Sequence, residues 1–141
     1  MQLTIPASPA HLAGLRRAVR ASLHEVPSEV ADDLVVALNE AATNAVVYGS
    51  GAGQPVRVTV QVASGWVEAV VVDQGPAVAP LGSAAAADDD DTSPELVATH
   101  GRGLWLLRRL VDEVRLERVR NGTRVTLRRQ LPQPRHSRGT W

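Results

Sequence analysis

Four short stretches of this chain hold residues whose types and spacing could do chemistry. The first is Asn39-Glu40-Ala41-Ala42-Thr43-Asn44-Ala45. On a helix, Glu40 and Asn44 lie one turn apart on one face, beside the small apolar Ala41, Ala42 and Ala45. A carboxylate and an amide so placed can activate a hydroxyl nucleophile and offer oxygen to hydrated Mg²⁺, although polar residues at this spacing also line ordinary solvated helix faces. The second is Asp73-Gln74-Gly75-Pro76, directly after an apolar run. Its carboxylate can accept from an exocyclic amine such as that of adenine, and its glycine admits a close ligand; a plain strand-ending turn has the same composition. The third is His100-Gly101-Arg102-Gly103-Leu104, where glycines and the unpaired amides of a helix start favour phosphate, or simply form a hinge. The fourth is Gly122-Thr123, whose hydroxyl could reach a phosphate or the Asp73 carboxylate. Turn formation alone also explains Asn121-Gly122.

These residues need elements to hold them, and the apolar pattern supplies candidates. Ser8-Pro9 is a helix start, and Leu12, Leu15, Val19 and Leu23 continue at helical spacing, which predicts a helix over 9–24. Pro27-Ser28 opens a longer one, with an apolar stripe of Val30, Leu34, Leu38, Ala41 and Ala45 up to Gly49. Val56, Val58, Val60 and Val62 alternate along a strand, Ser64-Gly65 breaks it, and Trp66 to Val72 forms the hairpin partner ending at Asp73. Residues 76–100 show no period. A stretch longer than about 12–15 residues without structure, inside a compact domain, is typically a lid, a binding loop or a disordered segment. Gly101 to Val111 then reads as a helix, and Val114, Leu116 and Val119 lead through Asn121-Gly122 to Val125 and Leu127, a second hairpin. With a short strand at 2–5, this order predicts an α/β (α+β) two-layer sandwich, a mixed and mostly antiparallel sheet covered on one face by helices.

At 141 residues and 44% hydrophobic content, the chain suits one domain over 1–131, with 132–141 a tail lacking any apolar pattern. No run approaches the roughly 18 apolar residues of a membrane span, and residues 1–6 do not resemble a signal peptide, so a cytoplasmic protein is expected. The absence of cysteine excludes disulfides, thiolate metal sites and cysteine nucleophiles. The net charge of zero hides an asymmetry: eleven of the fifteen Arg fall in 102–141, against three acids there. This basic part could face an acidic partner, nucleic acid or nucleotide phosphate, or be merely solvated. With Trp141 its one aromatic beyond the last helix, base stacking on it has thin support.

In order and spacing, the four stretches together resemble the nucleotide-binding boxes of the gyrase, heat-shock-chaperone and histidine-kinase superfamily, the Bergerat-type ATP-binding fold. They look most like the small bacterial anti-sigma-factor serine/threonine kinases, over residues 8–130. The resemblance implies ATP and Mg²⁺ as cofactors. It implies that Glu40 acts on the attacking hydroxyl, Asn44 ligates Mg²⁺, Asp73 takes the adenine amine, and Gly75 permits its approach. Gly101, Arg102, Gly103 and Leu104 would form the phosphate box under a lid of residues 76–100, and Thr123 would support the base-binding carboxylate. It further implies a sigma factor and an anti-sigma antagonist as partners, a homodimer, and no direct contact with nucleic acid or membrane.

Two features depart from the family pattern. Ala77 stands where the family often has a second glycine after the adenine-binding aspartate, which puts lid movement in doubt more than nucleotide binding. Asp88 to Asp91 would repel phosphates if turned inward, so they should point outward. The alternative function is a nucleotide-gated module that binds a partner without phosphorylating it. A detached histidine-kinase domain is disfavoured, because no phospho-acceptor helix hairpin precedes the boxes and His11 and His24 both fall in the first helix as surface or cap residues.

Overall fold

A computed structural model describes residues 1–49, 54–75 and 103–132. The expected lid at 76–100, with Ala77 and Asp88 to Asp91, lies outside the described residues, as do Gly101, Arg102 and all of the tail except Pro132.

Strand β1 (Gln2–Pro6) leads to Ser8, whose extended backbone and side-chain oxygen, accepting from the Ala10 amide at 3.4 Å, start a short 3₁₀ turn at Pro9–His11. Helix α1 (Leu12–Ser22) follows, so the helix predicted over 9–24 is split between two geometries. It buries Leu12, Leu15 and Val19, and its exit is fixed by Leu23 and Val26, both in the core. His11 and His24 are exposed, one in the 3₁₀ turn and the other just past α1.

Helix α2 (Ser28–Asn44) buries a stripe wider than the sequence period required: Val30, Ala31, Leu34, Val35, Ala37, Leu38, Ala41 and Ala42. The width follows from its position, packed against α1, α3 (Gly103–Leu110) and the sheet at once. Small side chains at 37, 41 and 42 let its backbone approach strands closely. Near its end, Thr43 Oγ1 donates to the Asn39 carbonyl at 2.7 Å and Asn44 Nδ2 to the Glu40 carbonyl at 2.9 Å. Such back-bonding loosens a helix, and the chain does widen into a π turn at Ala45–Gly49.

Strands β2 (Pro55–Ala63), β3 (Trp66–Val72), β4 (Glu113–Val119) and β5 (Gly122–Gln130) complete a five-stranded sheet in the order β1-β2-β3-β5-β4. Every pairing is antiparallel, which narrows the expected mixed sheet. The connection through α3 returns β4 parallel in direction to β3, but β5 inserts between them, so the two never pair. Register puts Val58, Val71, Val125 and Leu116 in one row and Val60, Ala69, Leu127 and Val114 in the next, on the face under the helices. Intervening rows, such as Gln61-Glu68-Arg128-Glu113, form the polar outer face. There Arg128 pairs with Glu113 at 3.1 Å and lies 4.4 Å over the Trp66 ring. Arg129, on the inner face, ties β5 to Asp33 of α2 at 3.2 Å and to Asp112 at 3.6 Å.

Both hairpins form. In the first, Gly65 takes φ 86, the left-handed conformation that glycine adopts without strain. In the second, Val119 pairs with Gly122, so the turn residues are Arg120 and Asn121 rather than Asn121 and Gly122. Gly122 is the first residue of β5 and carries no positive φ. Among the described residues no helix is long and apolar enough to cross a membrane.

Candidate functional site

Three polar side chains are buried among the described residues: Asn44 at 6% exposure, Asp73 at 5% and Thr123 at 7%. Everything else in the core is apolar. Burying a polar group costs free energy unless its hydrogen bonds are replaced, so such residues ask for a reason.

Asp73 follows the last residue of β3 and is fastened to the start of β5. Its amide donates to the Thr123 carbonyl at 3.0 Å. Its Oδ1 accepts from the Thr123 amide at 3.2 Å and from the Gly75 amide at 3.1 Å. The second contact is an Asx turn, which holds Gly75 against the carboxylate. Thr123 therefore supports Asp73 through its backbone amide and carbonyl. Desolvation pushes the Asp73 carboxyl above the usual carboxylate range, and the amides of Gly75 and Thr123 pull in the opposite direction.

Gly122 is part of this site, and the sequence signal disguised it as a turn residue. A Cβ there would lie 1.8 Å from the Asp73 carbonyl oxygen, 2.7 Å from its carbon and 2.9 Å from Oδ1. Only a residue without a side chain lets β5 approach Asp73 this closely.

Asn44 closes α2. The Glu40 carbonyl can only accept, so it fixes Nδ2 on the helix side and turns Oδ1 the opposite way. Glu40 itself is partly exposed. The start of α2 is tied to Arg129 through Asp33. The helix runs about 25 Å, much like β5, and so carries its last turn toward the Asp73 end of the sheet. Leu104 is a core residue, 3% exposed, and Gly103 contributes the first backbone position of α3. A separate cleft of about 350 Å³ opens at the other end of β5, bounded by Glu29, Val30, Asp112 and Arg129, and none of the candidate residues lines it.

A group made of a fixed carboxylate, a glycine amide beside it and an amide oxygen at a helix end fits an adenine nucleotide with Mg²⁺. The ion takes most of its ligands from phosphate and water and needs one or two protein oxygens. Among the described residues no cluster of three or more His, Cys, Asp or Glu is suited to holding a metal by itself.

Comparison with known proteins decides the family: residues 5–129 match the histidine kinase-like ATPase domain. The chain belongs to this family. A solved structure, described as the RsbU and RsbW domains of Rv1364c from Mycobacterium tuberculosis, superposes with a TM-score of 0.66 at 24% identity. The match covers 95% of this chain and 33% of that one, so the histidine kinase-like domain described here spans about a third of the length of its structural relative. At that identity the likeness speaks for the fold. No curated protein matches the sequence.

Proposed function

We propose that this histidine kinase-like domain binds ATP with Mg²⁺ and transfers the γ-phosphoryl group to a serine or threonine of an anti-sigma antagonist, alternating with capture of a sigma factor. The observation that carries the nucleotide half is the burial of Asn44, Asp73 and Thr123 in an otherwise apolar core, with Asp73 clamped through Gly75 and Thr123. The protein-kinase half rests on the resemblance of the four boxes and on the likeness to the structure of the RsbU and RsbW domains of Rv1364c.

In this reading Asp73 accepts the exocyclic amine of adenine, and the Gly75 amide holds the carboxylate in place for it. Asn44 offers Oδ1 to the cation, which when bound neutralises phosphate charge. Glu40 orients the acceptor hydroxyl and takes its proton as the oxygen attacks the γ-phosphorus and the bond to the bridging oxygen breaks, with ADP as the leaving group. Gly101, Arg102 and Gly103 cradle the phosphates ahead of Leu104, which anchors the helix start in the core. Catalysis of this kind is mainly positioning and charge stabilisation.

Glu40→Gln provides the test. It should leave ATP binding nearly intact by calorimetry and slow single-turnover transfer by about 100-fold or more, the size expected for removing a general base. Absence of transfer by the wild type to any antagonist it binds overturns the kinase reading. The nucleotide-gated binding module, favoured by Ala77 in place of the second glycine, would then stand.

A further inference from the structure

Of the eight arginines described after Gly103, Arg115, Arg124, Arg128 and Arg129 pair with carboxylates within the sheet, whereas Arg118 and Arg120, at the β4–β5 turn, neither pair with a carboxylate nor lie over an aromatic ring among the described residues. Helix α3 is different. Leu104 and Leu107 face the core, whereas Trp105, Arg108 and Arg109 share the opposite face at helical spacing. Trp105 is 44% exposed, a large apolar side chain left in water. The Arg109 guanidinium sits 4.4 Å from the ring centroid. Neither Arg108 nor Arg109 has a carboxylate within ion-pair distance among the described residues. An aromatic ring beside two uncompensated guanidinium groups is the composition of a binding hot spot rather than of an idle surface.

We infer that the outer face of α3, formed by Trp105, Arg108 and Arg109, is a docking surface for an acidic, partly apolar segment of the protein that accepts the phosphoryl group. Charge complementarity selects an acidic occupant. Arg109 occupies one face of the Trp105 indole, which leaves a single face for a base, and the sheet arginines Arg124 and Arg128 are compensated by carboxylates rather than free for a phosphate backbone. Position selects the acceptor: α3 starts at Gly103, within the phosphate box, and packs chiefly on α2, which carries Glu40. A segment held on α3 would be tethered within a few residues' reach of the reacting groups, raising the effective concentration of its hydroxyl there. This inference rests on the phosphotransfer reading, whose nucleotide-binding half the test checks separately.

The probe is a fluorescein-labelled twelve-residue peptide with a central Ser flanked by Glu and Leu, titrated with the full chain in the presence of MgADP. Arg108→Glu with Arg109→Glu should weaken its binding at least about tenfold, and Trp105→Ala about threefold or more. A charge-matched control, Arg57→Glu with Arg115→Glu on the outer sheet face, should change it less than about twofold. Equal loss in the control overturns the inference in favour of unspecific charge attraction. Tighter binding of a labelled single-stranded twelve-nucleotide DNA, with the same dependence on Arg108 and Arg109, overturns it in favour of nucleic acid. No binding by the wild type up to about 1 mM also overturns it. Calorimetry of MgADP with each variant reports on the nucleotide reading separately: it fails if the wild type binds no nucleotide, whereas nucleotide binding without peptide binding sinks the docking surface alone.

Discussion

Gly122→Ala is a substitution whose sign depends on the site. In a strand, alanine is ordinarily better than glycine by about 0.5–1 kcal/mol, because glycine loses more backbone freedom on folding. Here the new methyl would sit 1.8 Å from the Asp73 carbonyl oxygen, against an ordinary contact near 3.4 Å, so β5 and the end of β3 must part by about 1.6 Å. Both links between the strands stretch past hydrogen-bond range: Asp73 N to Thr123 O, now 3.0 Å, and Thr123 N to Asp73 Oδ1, now 3.2 Å. Losing a backbone bond of about 1 kcal/mol and a bond to a charged acceptor of about 1.5–3 kcal/mol outweighs the propensity gain, for a net loss of about 1.5–3.5 kcal/mol. Urea denaturation at neutral pH reads the stability, and calorimetry with MgADP reads the site, where affinity should drop about tenfold or more as the carboxylate is displaced. Unchanged or increased stability together with unchanged affinity would refute the claim that Gly122 is fixed by Asp73.

Two other glycines bracket that result. Gly14→Ala on α1 meets nothing closer than Arg17 Nη2 at 4.0 Å and should stabilise the chain by about 0.5–1 kcal/mol, while Gly65→Ala, at φ 86, should cost about 1–2 kcal/mol; paired thermal melts check both. Asp73→Asn keeps an oxygen acceptor for both amides but removes the buried charge. Because the Asp73 carboxyl titrates above its ordinary 3.8 in the folded protein, ligand-free stability should fall as pH rises from that value through the raised one and then level off. The variant should lack that component, be no less stable at neutral pH, and bind adenine nucleotide more weakly by about 1.5–3 kcal/mol; denaturation across pH and calorimetry test it, and an unchanged affinity defeats the adenine role. Asn44→Ala should weaken nucleotide binding when Mg²⁺ is present and much less in its absence, which calorimetry with and without chelator distinguishes.

Local pattern made the elements legible. Val56, Val58 and Val60 alternate because one face of β2 is buried and the other is not, and the α2 stripe repeats because that helix has a buried side. What the pattern could not carry was strand order: nothing local to Gly122–Gln130 says that it lies between β3 and β4, so a mixed sheet stood as the expectation. The site was readable as residue types and not as contacts. Asp73 and Thr123 are fifty positions apart, and their bond runs through a backbone amide, a group every residue except proline has and no sequence can flag. Gly122 is visible in the sequence, but Asn-Gly signals a turn so strongly that it hides the second reason for glycine, the close approach to Asp73. Glu40 and Asn44 were correctly placed on one helix, yet their unequal burial depends on what α2 packs against.

The insertion of β5 between β3 and β4 also dictates when the protein can become itself. Until Gly122–Gln130 has emerged from the ribosome, the edge of β3 that it will occupy is an open template of unpaired amides and carbonyls along Trp66–Val72, a valine-rich stretch prone to pair with another chain. The last of the described strands is thus the one that seals the middle of the sheet, a closure of long-range contacts that slows folding. The same strand supplies the amide that holds Asp73. Nucleotide would then act as an inspector of finished chains, stabilising those that have closed and ignoring nascent or truncated ones.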